Sequence, residues 1–193
     1  MKNWIKELNI NEQELNLLLE SNPSLRGMVM GYVAEIKLKQ KWFMTEKIDN
    51  IYKPDDHNKN IKADLVIEYN NKEYTIEVKS IKTNSIEKIS DSNFKGKFQC
   101  DASDKRLITL NNNKSIKTSC LKKGCFDILA INLYPFTGEW EFAFINNKDL
   151  PTTNYPKYDS EIQDQLLKTT INISYPFEKP FYDNPYKVIK NMS

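Results

Sequence analysis

The sequence predicts a single α/β domain built on a central mixed β-sheet flanked by helices. Its 193 residues suit one domain, because a chain of this length buries about 70% of its unfolded surface on folding. Apolar and polar residues alternate in two runs between residues 64 and 79, which indicates a β-hairpin. A nearly continuous apolar run over residues 126–134 indicates a central strand that is covered on both faces.

Two helices are predicted before the first strand. Residues 11–20 form an amphipathic pattern with Asn9 or Asn11 as the N-cap. The break at residues 21–24 starts a second helix, with Pro23 in its first turn.

Two glycines and one acid lie along one stripe of this second helix. Gly27, Gly31 and Glu35 are spaced four residues apart. Glycine costs about 1 kcal/mol against alanine in a helix, so we expect a close approach at these positions. Either the helix packs tightly on the sheet, or the glycines let it lean towards the hairpin so that Glu35 reaches a site there.

The hairpin between residues 64 and 79 has one apolar and one charged face. Asn70 and Asn71 suit a two-residue turn, which requires positive φ angles. With this turn Asp64 stands opposite Glu77, and Lys79 points to the same side. The opposite face is apolar and consists of Leu65, Ile67, Tyr74, Ile76 and Val78.

The remaining elements follow from pattern and turn signals. In chain order they are a first strand over 41–48, a polar loop over 49–62, a short helical piece over 85–90, a polar loop over 94–106, a hairpin of 106–110 with 115–118, a strand over 139–145, a helix over 160–169 with Asp159 or Ser160 as cap, and an extended aromatic tail over 175–185. The loop over 94–106 either contacts substrate or only connects its neighbours.

The charged face of the hairpin is unfavourable without a partner. Two carboxylates about 5 Å apart repel by about 3 kcal/mol at an effective dielectric near 20. A divalent cation relieves this repulsion, and hard oxygen ligands with open positions suit Mg²⁺. The alternative is a solvated face on which Asp64, Glu77 and Lys79 form a salt bridge.

This arrangement resembles the PD-(D/E)xK nuclease superfamily, the fold of many type II restriction endonucleases. The Glu-x-Lys element is Glu77-Val78-Lys79, and the metal-binding aspartate corresponds to Asp64. Glu35 matches the further glutamate that the family often places in the helix before the first strand. The resemblance covers residues 24–82 well and the rest of the chain only by the order of elements. Asp64 follows Ala63 where the family has proline; a literal Pro54-Asp55 lies in a polar segment, and Asp64 is preferred because it opens a strand.

The resemblance implies a Mg²⁺-dependent endodeoxyribonuclease, with Mn²⁺ as a substitute, acting on double-stranded DNA. Asp64, Glu77 and the carbonyl group of Val78 would hold the metal, and Glu35 would add a ligand or orient a water. Lys79 would stabilise charge on the phosphate. The residues expected to contact DNA are Arg26, Ser80, Lys82, Gln99, Asp101, Ser103, Lys105 and Arg106.

Within this chemistry we expect a site-specific restriction enzyme that works as a homodimer. A repair or recombination nuclease of the same fold is the next expectation. The domain is expected to span 1–193, with a catalytic core over 24–146 and a C-terminal helix and tail over 147–193.

Two other classes stay open. His57-x-Lys59 followed by Asp64 satisfies the His-x-Lys-x4-Asp pattern of phospholipase D-like nucleases, in which the histidine is a covalent nucleophile and no metal is needed. A DNA-binding protein without catalytic activity is the third class.

Composition sets the remaining bounds. The net charge of +2 is too small to indicate a protein that binds nucleic acids, although lysines cluster between residues 79 and 123. Three cysteines, an odd number without a Cys-x-x-Cys pair, indicate reduced thiols in or near the core and exclude a typical zinc site. No apolar run approaches the ~18 residues of a membrane span and no signal peptide opens the chain, so we expect a cytoplasmic protein.

Overall fold

The computed structural model describes residues 2–45, 47–54, 63–111 and 113–192, apart from the side chain of Ser103. Its elements in chain order are α1 (Trp4–Glu7), α2 (Glu12–Ser21), α3 (Pro23–Leu38), a π-helical turn (Lys39–Phe43), β1 (Asn50–Tyr52), β2 (Leu65–Tyr69), β3 (Lys72–Ser80), a 3-10 turn (Thr83–Ser85), β4 (Glu87–Lys88), β5 (Phe94–Gln99), β6 (Asp101–Thr109), β7 (Ser115–Cys120), β8 (Ile128–Asn132), α4 (Tyr134–Thr137), β9 (Phe142–Asn146), a 3-10 turn (Asn147–Asp149), α5 (Ser160–Gln163), β10 (Thr170–Tyr175) and α6 (Pro185–Lys190).

The centre of the fold is a mixed sheet of five strands in the order β1-β2-β3-β8-β9. Strands β3 and β8 are parallel, and the other neighbours are antiparallel. The predicted α/β domain with a central mixed sheet and flanking helices is therefore confirmed. Strand β8 is buried along its whole length, as its apolar run predicts.

Different layers cover the two faces of this sheet. Helices α3 and α6 bury one face through a cluster that includes Ala34, Leu38, Val188 and Ile189. A smaller antiparallel sheet in the order β10-β5-β4 covers the other face through side chains such as Phe98. Strands β6 and β7 form a separate ribbon, paired in the described residues only with each other.

Local signals explain why the hairpin β2–β3 forms as predicted. Asn70 and Asn71 both have positive φ, 53° and 59°, and Tyr69 pairs with Lys72 across them. Asn tolerates this conformation better than other residues with a side chain. The register continues to Leu65 opposite Ile76, which directs the predicted apolar face towards the helices.

Both predicted N-terminal helices are present. Asn11 caps α2 in a capping box with Glu14, and Pro23 opens α3. The expectation of a close approach at Gly27 and Gly31 is wrong, because an added Cβ would meet no heavy atom of the described residues within 4 Å.

The first strand predicted over 41–48 is also wrong. Residues Lys39–Phe43 continue α3 as a π-helical turn, and Phe43 is buried against the central sheet. The Tyr186 hydroxyl donates a hydrogen bond to the Trp42 carbonyl at 2.8 Å, which ties this turn to α6. Strand β1 instead lies within the stretch predicted as a loop, whose residues 55–62 are outside the described residues.

Other predicted elements change type or length. The helical piece over 85–90 is replaced by a 3-10 turn and the short strand β4, and the loop over 94–106 consists mainly of β5 and the start of β6. The helix expected over 160–169 ends at Gln163, and the tail contains the end of β10 and the start of α6. The hairpin of β6 and β7 and the strand β9 are confirmed.

The segment after residue 146 is integrated into this fold. Strand β10 pairs with β5 along its length, and the backbone of Tyr182 exchanges two hydrogen bonds with Phe144 of β9. Among the described residues, no helix combines the length and apolar character needed to cross a membrane.

Candidate active site

The hairpin brings Asp64, Glu77 and Lys79 together at the sheet face opposite the helices. Asp64 precedes β2 by one residue, just beyond the last strand pair, Leu65 with Ile76, and its backbone N–H donates to the carbonyl group of Ile76 at 3.0 Å. The Asp64 Oδ2 atom accepts a hydrogen bond from the backbone N–H of Val78 at 2.7 Å. Glu77 and Lys79, on either side of Val78, point to this same face because side chains alternate along a strand.

Glu77 and Lys79 form an ion pair that is largely withdrawn from water. The Lys79 Nζ atom lies 2.7 Å from Glu77 Oε1, and their side chains are 24% and 13% exposed. The alternative prediction of a salt bridge on a solvated face is thus met in part. The salt bridge between Glu77 and Lys79 is present, but the Glu77 carboxylate is largely shielded from solvent.

The electrostatic environment of Asp64 disfavours its charged form. Burial, followed by the charge of Glu77, raises the pKa of this carboxyl to about 7, against the hydrogen bond from Val78 and the charge of Lys79, which act to lower it. Lys79 shows the complementary behaviour. Burial acts to lower its pKa, but the Glu77 carboxylate and then Asp64 outweigh burial and raise it, so Lys79 stays protonated at neutral pH.

Glu35 lies on α3, the helix that packs on the other face of the central sheet. Its Oε2 atom is 2.7 Å from Lys53 Nζ, and Lys53 also lies over the ring of Tyr32. Of the named influences on the pKa of Asp64, the charge of Glu35 is the smallest. The structure thus brings Glu35 into electrostatic range of the site without placing it beside the two acids.

The acids of the site offer two carboxylates as ligands for a cation. No group of three or more His, Cys, Asp or Glu residues within the described ranges is arranged to hold a metal ion. Mg²⁺ needs no such group, because it keeps several waters and binds proteins through one or two carboxylates. Asp64 and Glu77 fit that donor set, and a divalent cation would offset the repulsion between these two half-buried acids.

Cys100 is a neighbour of the site that sequence reasoning placed only in the core. It is fully buried, as predicted, at the junction of β5 and β6. Burial raises the pKa of its thiol to about 12, while the charge of Lys79 acts to lower it. This mutual influence places the start of β6 beside Lys79, which the prediction of a loop over 94–106 could not show.

Asp127 is an acid near the same strands with a structural role. Its Oδ2 atom accepts hydrogen bonds from the backbone N–H and the hydroxyl of Thr75, at 2.8 and 2.7 Å. Its own N–H donates to the Thr75 carbonyl at 3.0 Å. Asp127 therefore fixes the start of β8 against β3 and leaves that carboxylate oxygen occupied.

The residues predicted to contact DNA lie on several elements of the fold. Ser80 ends β3 and accepts a hydrogen bond from Asn132 at 3.1 Å, and Lys82 is exposed just beyond it. Gln99 donates to Asp101 at 2.9 Å. The other members are Lys105, which is exposed on β6, Arg106, which is half-buried next to it, Arg26, which is exposed on α3, and Ser103, whose side chain is outside the described residues.

The rival histidine motif cannot be placed. His57 and Lys59 lie outside the described residues, and only Asp64 of that pattern has a position.

Comparison with known proteins gives one distant likeness. A solved structure of the bacterial homing endonuclease I-Ssp6803I is similar over 75% of this chain and 89% of that chain, at 14% identity and a TM-score of 0.37. No protein-family model matches the chain, and the search of curated proteins gives no match.

Proposed function

We propose that the chain is a Mg²⁺-dependent DNA endonuclease of the restriction type, with Asp64, Glu77 and Lys79 at its active site. The single observation that carries the proposal is the placing of two carboxylates and a lysine at the open end of the β2–β3 hairpin, where β2 begins and β3 ends. The hydrogen bond from Val78 to Asp64 and the ion pair of Glu77 with Lys79, both 2.7 Å, support it.

The two acids are the proposed metal ligands, together with the carbonyl group of Val78. Mg²⁺ bound there would polarise a phosphoryl oxygen and supply a nucleophilic water at neutral pH. Asp64 is oriented for this task by its hydrogen bond to the backbone of Val78. Glu35 has the supporting role of adding negative charge near the site or orienting a water.

Lys79 acts by charge in this proposal. It stays protonated beside Glu77, so it cannot accept a proton as a general base. A lysine ammonium group is a compact charge that binds phosphate oxygens. We therefore assign Lys79 the role of stabilising the charge that develops on the scissile phosphate.

The proposal extends to partner and assembly. Double-stranded DNA is the substrate, and a homodimer would cut both strands of one site. Light scattering at micromolar concentration tests the assembly, and a monomer would contradict that part of the proposal alone.

A plasmid cleavage assay tests the catalytic proposal. Wild type, Glu77→Ala and His57→Ala are incubated with supercoiled plasmid in Mg²⁺, in Mn²⁺ and in EDTA. We expect wild type and His57→Ala to cut only with a divalent cation, and Glu77→Ala to lose at least 100-fold in rate. Fragments of discrete size would identify a site-specific enzyme.

Other outcomes of this assay select the rival functions. Cleavage in EDTA that disappears in His57→Ala would indicate the phospholipase D-like mechanism. Binding of DNA without cleavage in any metal would indicate a protein that only binds DNA. Cleavage directed to ends or branched structures would indicate a repair or recombination nuclease.

A further inference from the structure

Strands β6 and β7 form a two-stranded ribbon with two very different faces. Along β6, Arg106 and Ile108 alternate with Lys105, Leu107 and Thr109, and Leu110 follows the strand directly. Leu107 pairs with Lys117 of β7, and Thr109 pairs with Ser115. Because directly paired residues share a face, the register separates a packed face from a free face.

The packed face is anchored to the rest of the protein. Ile108 and Ile116 contact a small core formed by Leu110, Cys120 and Leu166. The Tyr158 hydroxyl donates to Thr118 at 3.0 Å, and the backbone N–H of Asn111 donates to the side chain of Gln165 at 2.7 Å. This side of the ribbon is therefore held rigidly from behind.

The free face has no covering element among the described residues. Its exposed members are Lys105, Leu107, Thr109, Ser115 and Lys117. Leu107 is 72% exposed, which is unusual for a leucine at the centre of a strand pair. The hydroxyl groups of Thr109 and Ser115 lie 3.2 Å apart, so either can turn its hydrogen towards a ligand.

The charged side chains that line the groove beside this face are all positive. Lys105 and Lys117 of the free face, together with Lys168, line a groove of about 570 Å³ that also contains Tyr155. Among the described residues that line the groove there is no Asp or Glu. A groove of this composition suits a polyanion, whose phosphates would lie along the lysines.

We propose that the free face of the β6–β7 ribbon enters the major groove of double-stranded DNA, with a phosphate strand in the adjacent lysine-lined groove. The major groove admits a two-stranded β-ribbon. The register of the ribbon shifts between Asp101 and Arg106, so its free face on β6 covers residues 105–109. These five residues extend about 16 Å at about 3.3 Å each, which matches about five base pairs at about 3.4 Å each. Lysines and hydroxyl groups would contact base edges and phosphates, and Leu107 would contact thymine methyl groups.

The ribbon also starts beside the candidate active site. Ile81, two residues after Lys79, forms a β-bridge with Phe98, and Cys100, two residues further along, immediately precedes β6. One duplex could thus contact both the ribbon and the site. The inference rests on the proposed function for its choice of DNA, and it places Lys105 in the DNA contact and Arg106 on the packed face.

Binding of duplex DNA tests the inference separately from cleavage. The anisotropy of a labelled 40-base-pair duplex is measured in EDTA between 50 and 200 mM NaCl, for wild type, Lys105→Ala/Lys117→Ala and Lys187→Ala/Lys190→Ala. The last pair is the matched control, because it removes the same charge from exposed positions of α6. Melting by circular dichroism checks that all variants fold.

We expect the ribbon variant to raise Kd about tenfold at 100 mM NaCl and to lower the slope of log K against log salt by about two. The control should stay within about twofold of wild type. Duplex RNA of the same sequence should bind more weakly, because its major groove is too deep and narrow for a ribbon.

Four results would overturn the inference: no DNA binding by wild type, a ribbon variant within twofold of wild type, an equal loss in the control, or equally tight RNA binding with the same losses. Failure of the proposed function has a different signature. DNA would then bind in a ribbon-dependent manner, but the plasmid assay would show no cleavage in any metal.

Discussion

The carboxylate of Asp64 accepts the backbone N–H of Val78 at 2.7 Å, so this side chain is tied to the residue that separates Glu77 from Lys79. The hydrogen bond orients Asp64 but does not compensate its burial, since the pKa of the carboxyl remains raised. The protein keeps two acids close together where an apolar or amide side chain would be more stable. Such a cost is typical of functional sites.

Asp64→Asn should therefore stabilise the protein when no divalent cation is present. The amide oxygen can still accept the Val78 N–H, while the buried charge and its repulsion with Glu77 disappear. We expect an increase of up to about 4 kcal/mol in the free energy of unfolding in EDTA at pH 8, because the pKa of Asp64 is about 7 and not 3.8 and each pH unit corresponds to ~1.4 kcal/mol. This equals up to about 16 °C in Tm for a chain of this size. A lower Tm in this variant would contradict the electrostatic account. Cleavage should be lost in the same variant.

The stability gap between wild type and Asp64→Asn should depend on pH. The pKa of Asp64 is about 7 in the folded protein, above its ordinary 3.8, so the folded state binds more protons than the unfolded state between these values. Wild type should therefore lose stability relative to the variant as pH rises from about 4 to about 7, by up to ~1.4 kcal/mol per pH unit, and the gap should level off above pH 7. Urea denaturation of both proteins in EDTA measures this difference in the free energy of unfolding at each pH. A difference that stays constant or becomes smaller with rising pH would contradict the raised pKa of Asp64.

The ion pair of Glu77 and Lys79 should show strong coupling. Lys79→Met leaves the Glu77 carboxylate nearly buried without its partner, and we expect a loss of about 1–3 kcal/mol in the free energy of unfolding. Glu77→Gln in the same chain should restore most of that loss, because it removes the remaining charge. A double-mutant cycle in urea measures the coupling, and additive effects would mean that the pair does not interact.

The fold around the site could be predicted where the signal is local. The hairpin of β2 and β3 has alternation and a two-asparagine turn in one continuous stretch, so its register follows from spacing. This register brings Asp64, which precedes β2, and Glu77 to the same end of the hairpin. The buried strand β8 has an apolar run that suits only a covered position.

Other elements depend on contacts that are distant in the chain. Strand β5 alternates Phe94, Gly96 and Phe98 with polar residues, but its many charges and its glycine favour a loop. Gly96 is required because Phe136 packs on it: an added Cβ would lie 2.9 Å from Phe136 Cε1. The π-helical turn at Trp42 and Phe43 depends in the same way on Tyr186, and no pattern within residues 41–48 reveals that partner.

Asp127 should matter for stability and not for the chemistry of the site. Asp127→Ala removes the acceptor for the N–H and hydroxyl of Thr75, with an expected loss of about 2–3 kcal/mol in the free energy of unfolding. Asp127→Asn keeps an acceptor oxygen and should lose less than half of that. At a temperature where Asp127→Ala is still folded, its cleavage rate should stay within about threefold of wild type. A 100-fold loss with intact folding would instead make Asp127 a catalytic residue.

The central claim is that Asp64 and Glu77 hold a divalent cation, and Mn²⁺ binding measured by water-proton relaxation tests it most directly. Glu73→Gln is the matched control, because Glu73 lies on the same strand and the same face, four residues nearer the turn, and is exposed. Wild type and Glu73→Gln should bind Mn²⁺ with equal affinity, and Asp64→Asn and Glu77→Gln should weaken it at least tenfold. Equal Mn²⁺ binding by all four proteins, or none by wild type, would contradict the claim.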